Sequence, residues 1–160
     1  MNFLTVIKRY LPVHDVQAHC DIPCGIYDPV TAKIAAQTVQ KMVMRIQSLE
    51  RPEGDSHEAR TAHHNSLGRY ITVKEQHADL VKHEIDVLWH DYFKPEHLDK
   101  FPDLHNTVWE TTKLAAANKQ NVDLDAAKKL VALVDKIAKA FWATKGVDYQ
   151  DSVAEVRFGT

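Results

Sequence analysis

The sequence predicts an all-α protein, an up-down four-helix bundle with a short cysteine-bearing loop ahead of the first helix. Three observations carry this. Apolar residues recur at alternating steps of three and four in four separate stretches. Breaks of a few residues rich in Pro, Gly, Asn and Asp divide them, and links that short make consecutive helices antiparallel neighbours. No stretch alternates apolar and polar residues as a half-buried strand does.

Asp28-Pro29 starts the first helix, as an N-cap acceptor followed by proline at the first helical position. That helix runs to about Leu49, with Ile34, Thr38, Met42, Ile46 and Leu49 along one stripe and Met42 and Met44 as packing residues. Residues 51–56 form a loop by composition. A second helix begins near Ser56 or His57 and continues to Phe93, with Gly68 a weak point. Its amphipathic pattern is Tyr70, Val73, His77, Leu80, Val81, Ile85, Leu88 and Tyr92. Lys94-Pro95 ends it, because proline disfavours helical geometry in the residue before it. A third helix, from about Pro102 to Asn118, buries Leu104, Val108 and Ala115. After a turn at 121–123, a fourth covers residues 123–145, with a seam of Ala127, Leu130, Val134, Ile137 and Phe141 suited to antiparallel packing at about 20°. Gly146 caps it. Residues 147–160 have weak periodicity and fit a short helix or a contact arm. Trp89, Trp109 and Trp142 read as core residues, with subunit contacts the alternative.

At 160 residues, 44% apolar and 26% charged, the chain is long enough for one domain with a sizeable core. A net charge of −2 argues against a nucleic-acid binder, and no apolar run approaches a membrane span. Two cysteines are too few for a disulfide framework, which points to a reducing, cytoplasmic setting. His57, His63 and His64 read as a solvated face, and His83 and His90 lack the carboxylate-plus-histidine spacing of di-iron bundles. HExxH, CxxC, Walker and GxGxxG motifs are absent from the sequence.

Both cysteines fall in His19-Cys20-Asp21-Ile22-Pro23-Cys24-Gly25-Ile26-Tyr27-Asp28-Pro29. Pro23 breaks any helix through Cys20 and Cys24, and with Gly25 it favours a turn that brings both sulfurs toward one point. His19, Cys20 and Cys24 supply three side-chain donors. A cut between Ala18 and His19 would add a free amine, which with the Cys20 amide nitrogen and thiolate chelates one ion through consecutive small rings. A deprotonated amide donor favours Ni(II) or Cu(II) over zinc. On these residues alone, a local disulfide or a partial zinc site is the alternative. Residues 1–18 do not match a secretory signal, since Lys8-Arg9 follow the apolar start and Pro12, His14 and Asp15 interrupt it. They are either a short first segment of the fold or a propeptide whose removal uncovers His19.

The motif from His19 to Pro29 resembles the nickel hook of nickel-containing superoxide dismutases. Val73-Lys74-Glu75-Gln76, the block from Val87 to Pro95, and the end of the last helix from Asp135 to Trp142 are similar to that family too, so the resemblance covers about residues 19–145. It implies a propeptide at 1–18 removed by a processing peptidase, a bundle at 19–146 with its metal-binding hook at 19–29, and a tail at 147–160 outside the match. It also implies a homohexamer, superoxide as substrate, and one nickel ion per subunit cycling between Ni(II) and Ni(III), with His19, Cys20 and Cys24 as ligands. Thiolate and amide donors push electron density onto the metal, and the His19 imidazole would bind axially.

Tyr27 and Tyr92 match family tyrosines that order water and supply protons near the metal. Asp21 matches a residue that braces the loop, and Lys94 one that attracts the anionic substrate. One departure stands out. Family members often hold the axial imidazole with a glutamate and an arginine, and Ala35 and His77 occupy those positions here. A metal-bound histidine needs a partner for its other ring nitrogen, so His77, Gln37 or water takes over or the axial bond is weaker, and His77 is expected to substitute in part. The competing reading is non-enzymatic, a helical-bundle metal carrier or thiol redox sensor, which would work without a free amine at His19.

Overall fold

The computed structural model describes residues 25–52, 54 and 56–159. Its helices are α1 (Val30–Gln47), α2 (His57–Val87), a π-helical turn (Leu88–Tyr92), α3 (Pro95–Lys100), α4 (Leu104–Gln120), α5 (Leu124–Thr144) and α6 (Ala154–Phe158). The described residues contain no strand.

The start of each long helix follows local chemistry. Asp28 accepts a 2.8 Å hydrogen bond from the Val30 N–H ahead of α1. Ser56 accepts from Ala59 N–H at 3.1 Å to open α2, and Asp123 accepts from Asp125 and Ala126 to open α5. Gly146, at φ 75°, ends α5: Val147 N–H reaches Trp142 O and Gly146 N–H reaches Ala143 O, a pattern that needs a left-handed residue.

Helix α1 lies against α2 and α5, and α4 lies against the same two. Polar contacts give the directions. Lys33 meets Asp135 while Gln47 meets Val122, so α1 and α5 are antiparallel. Lys129 pairs with Glu110 and Lys136 with Asp103, so α5 and α4 are antiparallel. Lys119 meets Asp79 and His105 meets Trp89, so α4 and α2 are antiparallel too. The four long helices therefore form an up-down bundle.

Every residue of the expected α5 seam is fully buried, as is Ala115, and Leu104 and Val108 are nearly so. The α1 stripe is different. The core face is Ala32, Ala35, Ala36, Val39 and Val43, while Ile34 stays 44% exposed and Met42, Ile46 and Leu49 are half-buried. Alanine lets the helices approach closely, so the inner face carries the small residues and the larger apolar side chains lie at its flank. Met44 and Trp109 are exposed, the latter at 59%, so Trp109 is not a core residue; Trp89 and Trp142 are half-buried against the core. Gly68 does not interrupt α2. Pro95 does not open a loop: it takes the first position of the six-residue α3, where its missing N–H costs nothing. The tail contains α6, which packs back on α1.

Candidate metal centre

His19, Cys20, Asp21 and Cys24 lie outside the described residues, and so do residues 1–18. What the structure describes is the ground on which that segment ends. Gly25 has φ 74°, Tyr27 is half-buried, and Pro29 is fully buried where the chain enters α1.

Tyr27 meets Tyr92, their rings 5.5 Å apart at 54°. Sequence neighbours do not explain this; antiparallel packing does, because it sets the start of α1 beside the end of α2. Tyr92 closes the π turn, in which Phe93 N–H reaches back five residues to Leu88 O at 2.9 Å. Phe141 of α5 tilts against the Tyr92 ring at 4.5 Å, and His97 of α3 stacks on it at 5.6 Å and 19°. The Thr144 hydroxyl donates to Phe141 O at 2.6 Å, so in the bond between Tyr92 and Thr144 the phenol is the donor. The phenol oxygen keeps its lone pairs as acceptors. Lys145 Nζ lies 5.2 Å from the centroids of both Tyr92 and Phe141.

Lys94 is exposed, two residues beyond Tyr92, and its N–H is accepted by His97 Nδ1 at 3.1 Å. His77 is half-buried on α2, with Nδ1 2.8 Å from Val73 O. A carbonyl can only accept, so that nitrogen carries the proton and Nε2 has a lone pair to offer. At 1.5 Å per residue, His77 stands about 22 Å along the helix from Tyr92. The structure thus brings Tyr27 and Tyr92 together and leaves His77 apart from them. Ala35 is buried in the core and offers no polar group. His97, Thr144 and Lys145 were not anticipated from the sequence. The position of Thr144-Lys145 just past Phe141, on the seam that ends beside Tyr92, is the signal that could have found them.

Among the described residues, no group of three or more His, Cys, Asp or Glu converges in a way that could hold a metal ion. His57, His64, His83 and His90 are exposed and His63 is half-buried. Among the described residues, no helix is long and apolar enough to cross a membrane.

A family model described as nickel-containing superoxide dismutase matches residues 14–145. The chain belongs to that family. It is 38% identical over 138 residues to the superoxide dismutase [Ni] of Streptomyces coelicolor and 40% identical over 138 residues to that of Streptomyces seoulensis. Each alignment covers 86% of this chain and 96% of the relative. Among solved structures, native nickel superoxide dismutase at 1.30 Å is similar with a TM-score of 0.64 and 38% identity, covering 79% of this chain and 99% of that one. A nickel-containing superoxide dismutase with its nickel ligation in the oxidised state gives 0.67 and 37%, covering 81% and 100%. Both comparisons agree with the helical bundle described above. The family match spans the His19–Pro29 motif and stops at residue 145, so the tail lies beyond it.

Proposed function

We propose that this chain is a nickel-dependent superoxide dismutase, active once residues 1–18 have been removed. The observation that carries this is the donor set His19, Cys20 and Cys24, inside the family match and joined through Gly25 to the Tyr27–Tyr92 pair. Two thiolates, a terminal amine, the Cys20 amide nitrogen and an imidazole suit nickel, so the residues present fit the ion. One nickel per subunit would supply a centre that takes an electron from one superoxide, releasing O₂, and returns it to a second.

The second superoxide also needs two protons to become hydrogen peroxide, and the protein has to deliver them. Tyr92 is assigned this role, supported by its geometry: its hydroxyl donates to Thr144 and can accept from water, and Tyr27 faces it. The exposed Lys94 and the Lys145 ammonium above the Tyr92 ring make the surroundings attractive to a small anion. Asp21 is assigned, on the family resemblance, to bracing the loop. His77, through Nε2, would partner the His19 imidazole that helps to hold the nickel. His77 stands about 22 Å along the helix from Tyr92, farther than a 19–24 segment turned to bring both sulfurs to one ion would span, so it would serve the imidazole of a neighbouring copy. A homohexamer, a processing peptidase and a cytoplasmic location complete the proposal, supported by the family resemblance and by the scarcity of cysteines.

The test compares the chain beginning at His19, the uncut chain from Met1, and Cys20→Ser and Cys24→Ser variants of the first. Nickel content and superoxide consumption are the readouts. Only the His19 form should bind one nickel per chain and turn over superoxide. An equally active Met1 form, or turnover with zinc alone, would refute the proposal, and nickel binding without turnover would point to a metal carrier.

A further inference from the structure

The tail binds a single face of α1. Lys33, Gln37 and Lys41 are polar side chains spaced one helical turn apart, yet Lys33 is only 5% and Gln37 9% exposed. The tail covers them. Asp151 accepts two hydrogen bonds from the Arg157 guanidinium, at 2.8 and 3.0 Å, and lies 3.1 Å from Lys33 Nζ. Lys33 also reaches Asp135 of α5 at 2.6 Å and sits 4.8 Å above the Tyr149 ring. Gln37 donates to Ala154 O at 3.0 Å and accepts from Arg157 at 3.4 Å, and Lys41 donates to Gly159 O.

These bonds do more than fasten a terminus. Lys33 lies in the first turn of α1, directly after the buried Pro29 and the Tyr27 that faces Tyr92. A second connection runs through aromatic rings: Tyr149 stacks on Trp142 at 5.8 Å, Trp142 meets Phe141 at 5.1 Å, and Phe141 meets Tyr92 at 4.5 Å. Both routes start in residues beyond the family match and end at the two tyrosines.

We propose that residues 147–159 form a clamp that holds the first turns of α1, and with them the base of the metal-binding segment, with Asp151 as its positioning residue. Asp151 bridges one cation from the bundle and one from the tail, so its charge joins the two. A bidentate guanidinium pair fixes direction as well as distance. The clamp has no part in ligation. It limits how often the start of α1 opens, and therefore how easily a metal bound just ahead of it is lost. This rests on the proposed nickel function, but its structural half can be read without metal.

The test uses the full chain beginning at His19, its Asp151→Asn variant, and a version ending at Gly146. In the metal-free proteins, amide hydrogen exchange is followed from Lys33 to Val39 and across α2, α4 and α6. In the nickel-loaded proteins, release of nickel to a chelator and the electron paramagnetic resonance signal of oxidised nickel are recorded. Both variants should exchange the α1 amides and release nickel about tenfold faster, with α2 and α4 unchanged, since one charged hydrogen-bonded partner has been lost. An altered nickel signal would separate positioning from bulk stability. If Asp151→Asn leaves α6 protected, or if a freed tail leaves both rates within about twofold of the parent, the clamp is refuted. Should the parent take up no nickel, the functional reading fails while the exchange result still decides the clamp.

Discussion

Lys74 is a charged side chain only 2% exposed, and replacing it with methionine tests what holds α4 in place. Its ammonium donates to the carbonyls of Asn118, Lys119 and Asn121, the last two at 2.9 Å, where α4 ends. It acts as a cationic cap on carbonyls that no helical N–H serves. Burial pushes its pKa below the usual 10.5, which is the desolvation cost of placing a cation there. Two effects therefore compete in Lys74→Met. Relief of that cost and the apolar gain favour the variant, as can happen when a buried charge is replaced. Against it stand the lost charge-assisted bonds and carbonyls left without a donor, each worth about 1–3 kcal/mol. Asn121 is exposed and its carbonyl can turn to water, whereas Asn118 is 1% exposed and its carbonyl cannot. The net expectation is a loss of about 2 kcal/mol, which for a chain of this size lowers Tm by roughly 4–8 °C. Urea unfolding and thermal melts at one protein concentration measure it. Lys74 lies about 27 Å along the helix from Tyr92, so the Tyr27–Tyr92 pair should not move. A variant within about 0.5 kcal/mol of the parent, or a more stable one, would refute the capping account.

Acid should release the tail before it unfolds the bundle. The Arg157 hydrogen bonds, and then Lys33, hold the Asp151 carboxyl below its ordinary 3.8; Asp135 is also lowered, because its bonds to Lys139 and Lys33 together outweigh the opposing effect of burial. A depressed folded-state pKa contributes stability that is full above the unfolded value and disappears as pH falls through the folded one. Exposure of Trp142, read by fluorescence, should therefore begin only below about pH 4; loss already at pH 6 would implicate a histidine and contradict this origin. For His77→Ala, the oxidised-nickel signal should broaden and the rate fall, while Tm changes little. An unchanged signal and rate would remove His77 from the metal site.

How much was legible depended on the size of the buried residues. The α5 seam is built from Leu, Val, Ile and Phe at regular steps, so its periodicity announces the core face. Helix α1 turns alanines inward, and a reading that weights large apolar residues picked the flank. The π turn and the six-residue α3 are shorter than any period that could reveal them. The tail was opaque for another reason. Its stability comes from pairs such as Gln37 and Ala154, 117 positions apart, which no local pattern connects. At the site, resemblance pointed to Tyr27 and Tyr92 separately, and only the antiparallel packing explains why their rings meet. The cluster of His97, Thr144 and Lys145 around Tyr92 is assembled from three segments and belongs to tertiary structure alone.

The extra residue in the turn at Leu88–Tyr92 resets the bearing of the last residues of α2. Up to Val87 the helix keeps the phase that seats Val81 and Ile85 in the core, and the wide turn then carries Tyr92 to a different bearing from the one an even spiral would give it, before Phe93 leaves the helix in extended geometry. Removing the exposed His90 or Asp91 there would restore an even spiral without disturbing Leu88 or the upstream core. It would also swing the phenol away from Tyr27. The bundle can thus drift in sequence along most of α2 while a single local irregularity keeps aim at its end, so selection on the chemistry and selection on the fold act on different stretches of one rod.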